Sequence, residues 1–180
     1  MNSSHAPASA EEVRSAIRNV PDFPKPGIQF KDITPVLADP RLFAACIHLL
    51  AGAYQPGDID FVVGIDARGF IFASAAALQL KAGFVPVRKK GKLPFTTHEQ
   101  SYDLEYGSAT VAIHTDAVKP GSRVLLIDDL LATGGTAEAA ALLLQRVGAK
   151  IMEAAFLIEL KDLNGRDRIR HCPVRSLVAY

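Results

Sequence analysis

The sequence is poor in most features that announce a specialised chain. Its 180 residues hold two cysteines, Cys46 and Cys172. That is too few for a disulfide scaffold, and their separation does not suit a zinc site, so reduced thiols in the cytoplasm are expected. Twenty Lys and Arg against nineteen Asp and Glu leave a net charge of +1, so no bulk field draws the chain to nucleic acid or to a membrane surface. Long apolar runs are missing too. The longest, residues 70–80, is interrupted by Ser74 and Gln79 and falls short of the ~20 residues that span a bilayer. The first ten residues, MNSSHAPASA, have neither a basic start nor an apolar core, so they do not read as a secretory signal. Residues 1–8 are expected to be a disordered lead. No internal repeat, linker or low-complexity tract is present. No G-x-G-x-x-G follows a strand, which argues against a dinucleotide site. GIDARGF (64–70) has the glycine spacing of a P-loop, but Phe70 and Ile71 stand where lysine and Ser/Thr are required.

What is present reads as one globular domain over residues 1–180. An apolar fraction of 49% suffices for a real core at this length. Ser9 and Glu12 stand at capping-box spacing and open a short helix over EEVRSAIRNV. FPKPGIQFKDITP follows, too broken by proline and glycine for a regular element. Asp39-Pro40 offers an N-cap and a proline at the first helical position, starting a helix through RLFAACIHLLAGA. FVVGI reads as a buried strand, GFIFASAAALQL as an alanine-rich helix on a sheet, and FVPVRK as the next strand. KGKLPFTTHEQS is polar and aperiodic, while YDLEYG and ATVAIHTD read as extended and antiparallel. VLLID is an apolar strand, TAEAAALLLQRVG a helix stopped by Gly148, IMEAAFLIEL a strand and VRSLVAY an edge strand. Strands alternating with helices predict an α/β fold, an open and mostly parallel sheet flanked by helices.

Ligands of such sheets bind at the carboxyl ends of the strands, at the point where strand order reverses. Two strand-to-helix turns carry polar chemistry there, GIDARGF (64–70) and IDDLLATGGT (127–136). The second offers consecutive backbone N–H groups from Ala132 through Thr133, Gly134 and Gly135 to Thr136, at a helix start. The glycines permit close approach and the threonines add hydroxyls, which makes an anion cradle in physical terms. An ordinary loop with an N-cap threonine is the plain alternative. Asp128 and Asp129 cannot hold a phosphate, but they suit sugar hydroxyls or a magnesium ion beside it. A sugar phosphate satisfies both halves.

VLLIDDLLATGGT, an apolar run, two acids and a T-x-G-T-like turn, resembles the ribose-phosphate motif of the type I phosphoribosyltransferases. From about residue 17 onward the chain further resembles the adenine-using branch of that family. FPKPGIQFKDITP (23–35), GIDARGF (64–70), RKKGKLP (88–94) and YDLEYG (102–107) occur in the expected order. The resemblance implies the type I fold, with a small N-terminal hood region and a flexible loop at 94–108 acting as a mobile lid. It implies that adenine and 5-phospho-α-D-ribose 1-diphosphate become AMP and diphosphate, in adenine salvage. It also implies a cytoplasmic homodimer that binds neither nucleic acid nor membrane. Mg2+ is the implied cofactor, held mainly by the sugar diphosphate near Asp128 and Asp129, with no direct protein ligand assigned.

Residue roles follow from the same resemblance. Asp128, Asp129, Ala132, Thr133, Gly134, Gly135 and Thr136 would hold the ribose and its 5′-phosphate. Asp66, Ala67 and Arg68 would hold the diphosphate through a turn with a non-proline cis peptide, helped by Arg88, Lys89 and Lys92 around Gly91. Gln29 and Phe30, with Arg68, would read adenine, Phe30 by stacking; a core phenylalanine is the alternative. Glu105 would handle the purine proton and Tyr106 would close the lid, with Arg68 as the third catalytic residue; a plain hairpin carrying a surface Glu and Tyr is the alternative. His98 reads as a solvated loop histidine, and His48, His114 and His171 as structural or surface residues. Hypoxanthine–guanine relatives carry an aspartate where this chain has Ala132, and that acid is their general base. A methyl group there leaves the loop without an acid for the purine and points to adenine. A non-catalytic sensor of the sugar diphosphate would need an added DNA-binding domain, for which 180 residues and +1 charge leave no room.

Overall fold

The computed structural model describes residues 7–103 and 107–180. Its contacts divide the chain into two compact units, Met1–Leu49 and Leu50–Tyr180.

In the first unit, helix α1 (Ala10–Ala16) opens on the full capping box. The Ser9 hydroxyl accepts from the Glu12 N–H at 3.2 Å, and Glu12 accepts from the Ser9 N–H at 2.8 Å. The helix stops earlier than its sequence pattern predicts. Ile17 turns extended, and strand β1 (Arg18–Pro21) pairs antiparallel with β2 (Gln29–Asp32). The segment predicted to be irregular thus supplies a strand, because the proline-rich turn between the two brings Val20 opposite Phe30. A short helix α2 (Thr34–Ala38) follows, and then α3 (Pro40–Ala51). Its cap is as expected: the Asp39 carboxylate accepts from the N–H groups of Arg41 and Leu42 at 2.8 and 3.1 Å, satisfying donors that the first turn cannot pair internally.

The second unit is built on a seven-stranded sheet of order β5-β6-β4-β3-β7-β8-β9 among the described residues. These strands are β3 (Phe61–Ile65), β4 (Gly83–Lys89), β5 (Thr97–Asp103), β6 (Ser108–His114), β7 (Arg123–Leu131), β8 (Lys150–Glu159) and β9 (Val174–Ala179). The five from β4 to β9 along the sheet are parallel, while β6 and β5 close one edge antiparallel. Helices α4 (Gly69–Leu80) and α5 (Gly135–Arg146) are the crossovers after β3 and β7. In α4 the buried positions are Gly69, Phe72, Ala73, Ala76, Ala77 and Leu80, one stripe at helical period. Small residues let that stripe lie close to the sheet: a Cβ on Gly64 of β3 would stand 2.8 Å from the Ala73 methyl. Val63, Ile65, Val87 and Leu126 pack with Ala140, Leu143 and Leu144 of α5 in the main core.

From β3 the chain crosses to β4 on one side, and from β7 it crosses to β8 on the other. Since parallel crossovers are right-handed, α4 and α5 cover opposite faces. The strand order therefore reverses between the neighbours β3 and β7, and a crevice opens at their carboxyl ends.

Two further sequence expectations differ from the structure in the second unit. The aperiodic KGKLPFTTHEQS segment contributes most of β5, which is held by full register with β6, Thr97 opposite His114 through Asp103 opposite Ser108. The strand expected to end at Asp128 runs on to Leu131, because β8 keeps pairing with it as far as Glu159. The paired acids thus sit on a strand rather than in a turn.

Candidate active site

The crevice between the ends of β3 and β7 is an open cavity of about 330 Å3. It is lined by the 65–68 and 128–137 segments together with Lys89 and Tyr102. The two turns picked out in the sequence thus meet, although Arg68 and Asp129 are 61 positions apart in the chain. The Arg68 Nε donates to the Asp129 Oδ2 at 2.5 Å. Asp129 is 7% exposed, and a carboxylate buried to that extent is stable as an anion only with such a partner.

Asp128 lies beside it and accepts the Asp129 backbone N–H at 2.9 Å. Its carboxylate rests against Gly69, where a Cβ would come within 2.6 Å of Oδ1. The first helical residue is glycine because a side chain there would evict the acid. Burial, and then the neighbouring Asp129 charge, push the Asp128 carboxyl well above the usual aspartate range. Two acids with environments that differ this way mark a working site more often than a structural one.

On the other side of the crevice, the Asp66–Ala67 peptide is cis. Asp66 is tied to β4 twice, by its N–H to the Val87 carbonyl at 2.9 Å and by its carboxylate to Arg88 Nε at 3.1 Å. Arg88 also donates to the Lys92 carbonyl at 3.1 Å, and its guanidinium lies 5.9 Å from the Phe70 ring centre. Of the basic run at the end of β4 and just beyond it, Lys89 lines the cavity. Lys90 instead pairs with Glu99 at 2.7 Å, and Arg88 serves the 66–68 turn.

The 132–136 loop enters α5 through Gly134, which caps it with φ 83°, a left-handed conformation open to glycine at little cost. Gly135 begins the helix close under Tyr102, with a Cβ there placed 3.1 Å from the ring. The amides of such a helix start are the expected seat for an anion. Among the described residues, no three His, Cys, Asp or Glu side chains gather as a protein-built metal centre would require. The adjacent Asp128 and Asp129 carboxylates do fit a hard cation that brings most of its oxygen ligands with it.

Gln29 and Phe30, expected at the base, lie on β2 in the first unit, where Phe30 meets Phe23 edge to face at 5.1 Å. Glu105 and Tyr106 lie outside the described residues. Tyr102 and Gly165 were missed from sequence. Tyr102 had a signal, being in the YDLEYG segment. Gly165 follows Asn164, an Asn-Gly pair that reads as a turn without saying what the turn touches.

Comparison with known proteins gives a consistent picture. Residues 32–178 match the family model for the phosphoribosyl transferase domain. The chain is 57% identical over 168 residues to the adenine phosphoribosyltransferase of Acidothermus cellulolyticus, covering 93% of this chain and 95% of that one. The crystal structure of the Rhodothermus marinus adenine phosphoribosyltransferase superposes with a TM-score of 0.89 at 53% identity, over 95% of this chain and 98% of that one. The Saccharomyces cerevisiae enzyme, solved with an imino-altritol bisphosphate and adenine, gives 0.88 at 41% identity, over 93% and 97%.

Proposed function

Since the chain belongs to the phosphoribosyl transferase family and, within it, to the adenine phosphoribosyltransferases, we propose how its own residues divide the work of that reaction. Adenine N9 bonds to C1′ of 5-phospho-α-D-ribose 1-diphosphate, the C1′–O bond breaks, and its electron pair leaves with diphosphate. The N–H proton of the imidazole ring must be taken up, and AMP is formed. The sugar becomes cationic at C1′ while the leaving group gains charge, so orientation and fixed charges must supply the rate.

The observation that carries the reading is the meeting of the 66–68 turn and the 128–136 segment in one crevice, joined by Arg68 and Asp129. In this assignment Ala132, Thr133, Gly134, Gly135 and Thr136 take the 5′-phosphate. Asp128 and Asp129 take the ribose hydroxyls, with Asp129 shared between the sugar and Arg68. The Asp66-Ala67-Arg68 turn and Lys89 take the diphosphate, with Arg88 holding the turn and Lys92 adding charge. Magnesium would supply further neutralisation of the diphosphate beside Asp128 and Asp129. Gln29 and Phe30 read and stack the base, Glu105 accepts the purine proton, and Tyr106 closes the 94–108 segment; these roles rest on the resemblance. We assign the enzyme to the cytoplasm, in keeping with its two free thiols. We also assign it a homodimeric state; Ile71 and Leu78, the latter 82% exposed, share a face of α4 and leave apolar surface for a partner copy.

The test is product formation from the sugar diphosphate and magnesium with adenine, hypoxanthine or guanine offered separately. Adenine is expected to be used and the 6-oxopurines to be poor. Equal use of all three would remove the adenine assignment. In the same assay Glu105→Ala should lower kcat by about 10²- to 10⁴-fold, the usual contribution of a positioned acid–base group. An unchanged kcat takes Glu105 out of the mechanism.

A further inference from the structure

Between β8 and β9 the chain makes two 3-10 turns, Lys161–Leu163 and Gly165–Arg168. Their junction presses on the 132–136 loop, backbone against backbone. A Cβ on Gly165 would stand 2.1 Å from the Ala132 carbonyl oxygen, 2.8 Å from the Gly134 nitrogen and 3.0 Å from the Ala132 carbonyl carbon. A Cβ on Gly134 would in turn meet the Gly165 oxygen at 2.3 Å. These are main-chain atoms, which cannot swing aside as a flexible side chain would. Gly165 is absent from the residues with positive φ, so its conformation is open to alanine. Glycine is needed at 165 for the closeness of the loop alone.

The turn is also pinned from behind. The Leu160 N–H donates to the Leu131 carbonyl at 2.9 Å, directly before the loop. Arg166 grips the buried Glu159 with two N–H groups at 3.0 and 2.5 Å and reaches the Val174 carbonyl. Ile169 is buried in the main core, and Arg168 approaches Glu138 of α5 at 3.9 Å. A segment fastened on β8, β9, the core and α5 is a fixed stop rather than a loose cover.

We propose that Gly165 is a positioning residue for the phosphoribosyl group, the 3-10 turn being the backstop that holds the 132–136 loop in the shape that grips a 5′-phosphate. It never touches substrate; it acts through the Ala132 and Gly134 backbone. The inference rests on the assignment of that loop to the 5′-phosphate. Moving anion-binding amides by even part of an ångström weakens the grip steeply, whereas the diphosphate turn at 66–68 has no contact with Gly165 among those given above.

The test uses ribose 5-phosphate and diphosphate as separate probes, titrated calorimetrically into the full chain. Gly165→Ala should weaken ribose 5-phosphate by about tenfold or more, within the penalties known for misplaced binding groups, while diphosphate affinity stays as in wild type. Steady-state rates should show a raised KM for the sugar diphosphate with kcat at saturation retained. Leu163→Ala, an exposed change in the neighbouring turn, should alter none of these. Thr136→Val tests the loop itself. If Thr136→Val weakens ribose 5-phosphate and a folded Gly165→Ala does not, the backstop is refuted and the loop assignment stands. If neither variant moves it, the loop assignment fails and the backstop with it. Should Gly165→Ala not fold, Arg166→Met combined with Glu159→Gln decides: releasing the turn without adding an atom to the loop or leaving a buried charge unpaired should cost about threefold in ribose 5-phosphate affinity, and unchanged affinity refutes the proposal.

Discussion

Asp129 shows how much one side chain here depends on another far away in sequence. It is buried and paired with Arg68, and on the proposed reading it must also receive ribose hydroxyls. Replacing it by Asn keeps the shape and removes the charge. Asp129→Asn should raise the KM for the sugar diphosphate by about 10- to 100-fold, the equivalent of the ~1.5–3 kcal/mol carried by hydrogen bonds to a charged group. Initial rates at varied sugar diphosphate measure it, and a wild-type KM would refute the ribose role. The two thiols belong to the same scale with the opposite lesson. Burial pushes Cys46 up to about 12 and Cys172 to about 11, so both are inert packing groups at neutral pH.

At the level of elements, legibility follows from where the information sits. Helix α3 is written locally: a capping acid, then proline, then an apolar stripe. Its cap is a sharp test of that reading, for Asp39→Ala should lower unfolding free energy by about 1 kcal/mol. Urea denaturation with an unchanged slope would measure the loss, and an unaltered midpoint would show that the two N–H bonds to Asp39 contribute nothing net. Helix α4 was legible for the same reason, its buried positions repeating every three or four residues. Strands β1 and β5 were not. RNVP and THEQSYD carry no alternation of apolar and polar residues, and they are strands because β2 and β6 pair with them. Partner hydrogen bonding is a property of two segments, and a window on one of them does not contain it.

At the scale of the whole second unit, two ion pairs couple its stability to pH, one of them between segments 63 positions apart. Arg123 at the start of β7 donates to Asp60, ahead of β3, from its backbone N–H at 2.7 Å and from its guanidinium at 2.8 and 3.2 Å. Hydrogen bonds from Arg123 hold the Asp60 carboxyl down to about 2, and hydrogen bonds from Arg166 hold Glu159 below its ordinary value of 4.5. For lowered acids the stabilisation is complete above the unfolded-state value and is lost as pH falls through the folded one. Asp128 works in the opposite sense: its raised carboxyl favours the fold at low pH and yields that contribution as pH rises through its folded value. Thermal unfolding of wild type and Glu159→Gln between pH 6 and pH 3 should therefore converge, the wild-type advantage shrinking through the range below about 4.5. A constant gap across that range would show that Glu159 is not titrating with folding.

Sequence by itself determined the α/β alternation, the principal strands and helices, and the two turns where polar chemistry interrupts apolar runs. Each of these is encoded within a dozen or so consecutive residues, as a period, a cap or a glycine. The family was legible for the same reason, since its motifs are short and occur in order. Only the tertiary structure decided that the two turns share a crevice, that Arg68 holds Asp129, that Arg88 serves Asp66, and that Gly165 packs against the backbone of the 132–136 loop. Those are contacts between segments tens of residues apart, created when strands become neighbours in the sheet: β3 beside β7 for Arg68 and Asp129, β3 beside β4 for Asp66 and Arg88, and β7 beside β8 for Gly165. Coulomb attraction and steric exclusion act over ångströms of space, and the sheet alone converts distance along the chain into distance in space.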